Sequence, residues 1–176
     1  MLRNRLLHGR RSVLRINEMV IVCIIAAALL AGIDQALKYI AADKLADSPA
    51  VHVLTVGDTD ILTLSYYQNN GAAFSSMQGK IPLLVVITVA FMAAMVFYLV
   101  KFKPKSKFAV ACVIMVIGGG IGNLIDRVML GYVIDYIILW PFKFIFNFAD
   151  ICVVVGAILV MIYYVFFDRE NVEKHE

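Results

Sequence analysis

Hydrophobic positions along the chain fall into four long apolar stretches separated by shorter polar connections. Met19 to Ala42, Ile81 to Val100, Phe108 to Ile125 and Phe148 to Phe167 each come near the roughly 20 residues a helix needs to cross the hydrocarbon of a bilayer. Such lengths predict spanning helices rather than the shorter strands of a barrel. The first stretch has a basic start and an Ala-rich segment at Ala26 to Ala31, as a cleavable signal peptide would. Its apolar character nevertheless continues past Asp34 through Ala36, Leu37, Tyr39, Ile40, Ala41 and Ala42, which predicts a retained span. In the connection that follows, Val51 to Val56 and Ile61 to Tyr67 partly alternate around Gly57-Asp58-Thr59-Asp60, predicting a small surface sheet. Asn70-Gly71 predicts a second tight turn, since both residues tolerate positive φ.

With 62% hydrophobic and only 16% charged residues among 176, an ordinary water-soluble domain is excluded, and one integral membrane domain over residues 1–176 is expected. The net charge of +3 changes the picture only through its placement. Arg3, Arg5, Arg10, Arg11 and Arg15 precede the first stretch, and Lys101, Lys103, Lys105 and Lys107 lie between the second and third. The positive-inside rule then puts both termini in the cytoplasm and the connections Asp43 to Lys80 and Asp126 to Asn147 outside. Clusters beside apolar stretches suit membrane phospholipids, so no nucleic-acid partner is expected. Cys23, Cys112 and Cys152 sit in apolar stretches as small hydrophobes, and His8, His52 and His175 lack ligand spacing. No disulfide, metal or cofactor is expected.

Polar residues crowd the outer ends of the third and fourth stretches: Asn123, Asp126, Arg127, Asp135, Asn147 and Asp150. Charges so placed usually pair, face the bundle interior and mark function. Asn123, Asp126 and Arg127 stand at i, i+3 and i+4 on one helical face, where an Asp126–Arg127 ion pair supporting a site is the plain expectation. Gly118, Gly119, Gly120 and Gly122 permit close helix contact and predict a central third helix. Asp34 and Lys38, four apart, suit an intrahelical salt bridge or, as the alternative, a lipid or substrate headgroup contact. Tyr132, Tyr136, Trp140, Phe142 and Phe144 fit an aromatic belt at the interface.

Asp135 and Asp150 have no local cation. If the chain brings them together, repulsion and desolvation raise one pKa and the pair holds a single proton. In that state one carboxylate can activate water while the other carboxyl hydrogen-bonds a peptide carbonyl. Asp150 also suits a helix N-terminus capped by Asn147. A proton or ion carrier relaying through Asp34, Asp126, Asp135 and Asp150 would need groups spread through the bilayer depth, whereas these gather at one edge. A non-enzymatic assembly subunit docking through the glycine face leaves the two aspartates unexplained.

Five motifs in order, Asp34-Gln35-Ala36-Leu37-Lys38-Tyr39, Asn69-Asn70-Gly71-Ala72-Ala73-Phe74, Gly119 to Arg127, Gly131 to Tyr136 and Phe146 to Asp150, resemble lipoprotein signal peptidase (signal peptidase II). The resemblance implies an intramembrane aspartic endopeptidase with Asp135 and Asp150 as its dyad. Asp34, Lys38, Asn69, Gly71, Asn123, Asp126, Arg127 and Asn147 match positions that support the site or substrate. It further implies an all-α membrane fold of four transmembrane helices with a small extracytoplasmic β-cradle and a short outer loop or helix. The implied substrate is a prolipoprotein with a diacylglyceryl-modified Cys, cut just before that residue. Inhibition by globomycin, and a monomer in the bacterial cytoplasmic membrane with its site at the outer face, are expected.

Overall fold

The computed structural model describes residues 2–71, 81–102, 104, 106–142 and 144–167, with side chains from residue 20 onward. Ala72, Ala73, Phe74, Lys103, Lys105 and the side chains of the early arginines lie outside the described residues. Four helices carry the predicted spans: α1 (Leu2–Leu45), α2 (Ile81–Phe102), α3 (Lys107–Met129) and α4 (Phe148–Phe166). The largest departure is α1, whose apolar part, Val20–Leu45, completes a helix of 44 residues. Side chains such as Ile24, Leu29, Val86, Val96, Val154 and Ile158 are exposed on these helices, as a lipid-facing surface requires. Ser106 caps α3 by accepting the Ala109 amide at 3.2 Å, and Asn147 caps α4.

α3 is central because its glycines let the other three helices close on it. A Cβ at Gly118 would stand 2.8 Å from Leu30 Cβ on α1, and one at Gly120 would stand 3.1 Å from Met92 Sδ on α2. One at Gly119 would strike the Ala149 carbonyl on α4.

Where α1 and α3 end and α2 and α4 begin stands one antiparallel sheet, in the order β1 (Val51–Val56), β2 (Thr59–Asn69), β3 (Val133–Leu139) and β4 (Ile145–Phe146). β1 and β2 form the predicted hairpin, turning through Gly57 at φ 60°. The turn at Asn70-Gly71 is built differently from expectation: Asn69 closes it, its Oδ1 accepting the Gly71 amide at 3.0 Å.

The second outer connection adds two strands to the expected small sheet, β3 and β4, joined by a short irregular turn through Trp140 and Pro141. Val133 to Tyr136 are buried without alternation, so the run carries no period-2 signal, and it becomes a strand by pairing with distant β2. Tyr136 therefore leaves the proposed aromatic belt: it is buried with Ala41 and Ile134 where the sheet packs on the end of α1. Trp140, Phe142 and Phe144 are exposed, as the belt reading expects.

Candidate active site

Asp135 lies on β3 opposite Tyr67 of β2, buried, with 1% of its surface exposed. Two residues beyond Tyr67, Asn69 projects from the same face of the sheet and donates through Nδ2 to Asp135 Oδ2 at 2.8 Å. The Gly71 amide occupies Asn69 Oδ1, which fixes the orientation of this side-chain amide. Asp150 sits in the first turn of α4, where it and Asn147 make a reciprocal capping box. Asn147 Oδ1 accepts the Asp150 amide at 2.9 Å, and Asp150 Oδ2 accepts the Asn147 amide at 3.3 Å.

Asn147 joins the two aspartates. With its oxygen used by the cap, its Nδ2 donates to Asp135 Oδ1 at 2.6 Å and also reaches Asn123 Oδ1 at 3.1 Å. Asn123 in turn donates to Asp150 Oδ1 at 2.7 Å. Each carboxylate thus accepts from side-chain amides, and no cation pairs directly with either among the described residues. Burial, and after it the negative charge of Asp150, push Asp135 up to about 7, against the bonds from Asn69 and Asn147 and the more distant charge of Lys38. Asp150 is only part-buried, so the pair opens to the surroundings on its side.

Beneath the pair, Lys38 Nζ lies 2.8 Å from Asp34 Oδ2, 3.0 Å from Asp126 Oδ2 and 2.9 Å from Asn123 Oδ1. The predicted Asp34–Lys38 bridge is present, but the lysine is 1% exposed, which removes the headgroup contact considered as its alternative. The Asp126–Arg127 pair is not formed: Asp126 turns inward to Lys38, and among the described residues Arg127 Nη1 makes a long contact, 3.5 Å, to the Asn123 carbonyl. Residues one apart on a helix point in different directions, so the nearer partner in sequence loses to the one across the bundle.

Gln35 belongs to this layer although nothing in the spacing singled it out. Its Nε2 donates to Asp126 Oδ1 at 2.8 Å and to the Gly122 carbonyl at 3.1 Å. The only signal for it is its place in the Asp34 to Tyr39 motif.

A family model described as signal peptidase (SPase) II matches residues 25–166. A lipoprotein signal peptidase of Streptococcus thermophilus is 38% identical over 152 residues, covering 86% of this chain and 95% of that protein. One from Clostridium acetobutylicum is 35% identical over 157 residues, covering 85% and 96%. Among solved structures, a bacterial membrane enzyme determined in meso at 2.3 Å superposes with TM-score 0.74 at 30% identity, covering 85% of this chain and 90% of that one.

Proposed function

The chain belongs to the signal peptidase II family, and from that premise we propose that it removes signal peptides from lipidated prolipoproteins as an aspartic endopeptidase with Asp135 and Asp150 as its dyad. Membership makes it a multi-pass membrane peptidase of lipoprotein processing. The observation that supports the dyad is Asn147, one residue bonded to both carboxylates. With Asp135 pushed up to about 7, a proton on the pair is available in the neutral range and is lost as pH rises above it.

In the proposed reaction the ionised carboxylate takes a proton from water as its oxygen bonds to the peptide carbonyl carbon. The protonated carboxyl gives its proton to the carbonyl oxygen, forming a tetrahedral diol. When the C–N bond breaks, the diol returns one proton to the second carboxylate, and the first carboxyl passes the water's proton to the departing amine. The pair is left with the single proton it began with, and no metal or cofactor enters.

The scissile bond is placed just before a diacylglyceryl-modified Cys. A signal helix lying in the bilayer beside α1 to α4 brings that bond to the sheet end of the bundle, and the cation clusters support reading that end as the outer face, with both termini cytoplasmic. β1 exposes Val51, Val53, Leu54 and Val56 at that end, an apolar edge suited to the lipid boundary. Asn69, Gly71, Asn123, Asn147 and Arg127 hold the pair or face the substrate, and a globomycin-like inhibitor competes by occupying the dyad. The protein is proposed to act as a monomer. Asp135→Asn and Asp150→Asn, each made alone, test the reading. With either change a lipidated precursor accumulates on a gel, and normal processing by a folded variant overturns it.

A further inference from the structure

A lysine ammonium carries three hydrogens, and those of Lys38 have three acceptors: Asp34 Oδ2, Asp126 Oδ2 and Asn123 Oδ1, all within 3.0 Å. Saturated and enclosed, it has nothing left to offer a substrate. Each of the three acceptor residues makes a further bond, two of them to the backbone amide just before a dyad aspartate and one to a dyad carboxylate itself. Asp34 Oδ1 accepts the amide of Ala149, the residue before Asp150, at 2.9 Å. Asp126 Oδ2 accepts the amide of Ile134, the residue before Asp135, at 3.0 Å. Asn123 Nδ2 donates to Asp150 Oδ1 at 2.7 Å.

We propose that Lys38 is the positioning residue of this site, tying β3 and α4 to one point on α1 and so setting the separation and orientation of Asp135 and Asp150 without touching substrate. The inference rests on reading that pair as the dyad. Its logic is that of a second layer locking the first: an aspartate is held only as well as the backbone that presents it, and both backbones here end on one cation. Charge reinforces geometry, since removing the lysine leaves Asp34 and Asp126 buried side by side without compensation. Arginine is not an equivalent. Its planar fork spreads the donors apart, whereas the three oxygens converge on one nitrogen.

The test uses the full chain in lipid nanodiscs with a synthetic diacylglyceryl peptide, comparing the parent, Lys38→Met and Lys38→Arg by kcat, KM, pH profile and melting temperature. Both variants are expected to lose kcat on the order of 100-fold, the scale of an ångström's misplacement, with KM within about threefold of the parent. The charge of Lys38 helps hold Asp135 down. Lys38→Met therefore moves the alkaline limb of kcat to higher pH, while Lys38→Arg leaves it in place. A purely structural lysine would not separate the two variants in this way. A folded Lys38→Arg whose kcat is within about threefold of the parent, or whose loss lies in KM alone, overturns the proposal. If Lys38→Met does not fold, Lys38→Arg decides, because it keeps the charge. Asp135→Asn in the same assay separates the two readings: cleavage by that variant sinks the dyad, whereas its inactivity beside an active Lys38→Arg sinks only the role of Lys38.

Discussion

Asn147 donates to Asp135 over 2.6 Å with the same side chain whose oxygen caps the helix carrying the other aspartate. Capping and bridging can be separated, because serine can cap but is too short to reach β3. Asn147→Ser should keep more of the melting temperature than Asn147→Ala, which also loses a cap of about 1 kcal/mol. Both should lose most of kcat. Equal melting temperatures for the two, or full activity in Asn147→Ser, would contradict this division of labour.

Asn69 donates to Asp135 Oδ2 at 2.8 Å, and such a bond favours the ionised carboxylate. Without it, in Asn69→Ala, Asp135 rises further above about 7. The pair then keeps its single proton to higher pH, so the alkaline limb of kcat moves upward rather than downward. A pH–rate profile checks the sign.

Two glycines should behave in opposite ways when replaced by alanine. A Cβ at Gly122 would stand 2.5 Å from Asp34 Oδ2, a side chain already fixed by Lys38 and the Ala149 amide. Gly122→Ala should cost about 1–3 kcal/mol and lower kcat along with stability. Gly32 has nothing within 4 Å of the corresponding position and lies inside α1, so Gly32→Ala should leave kcat unchanged and raise stability by up to about 1 kcal/mol. Thermal melts of the two variants make the comparison.

The spans were legible because a bilayer dictates the length and apolarity of any helix that crosses it. Half of the sheet was legible too, where apolar and polar residues partly alternate in Val51 to Val56 and Ile61 to Tyr67 on either side of a glycine turn. β3 was not: its first four residues are buried without alternation, and its partner strand lies far back in the chain. The polar residues of the site were visible as anomalies in apolar surroundings, and the local pairs Asp34–Lys38 and Asn147–Asp150 with them, but the pairing between elements was not. Asp126 has Arg127 beside it in sequence yet bonds Lys38 across the bundle. Gln35 offers no anomaly of its own. Local spacing reports faces of one helix, while the site is made by contacts between helices and sheet, which only the closed bundle defines.

The central claim is that Asp135 and Asp150 act as one catalytic unit, and single-turnover cleavage by Asp135→Asn, Asp150→Asn and the double variant tests it most directly. Groups that work as a unit are not additive: each single change should bring the rate to background, and the double change should lower it no further. Appreciable residual rates in the two single variants, with losses that multiply in the double, would contradict it.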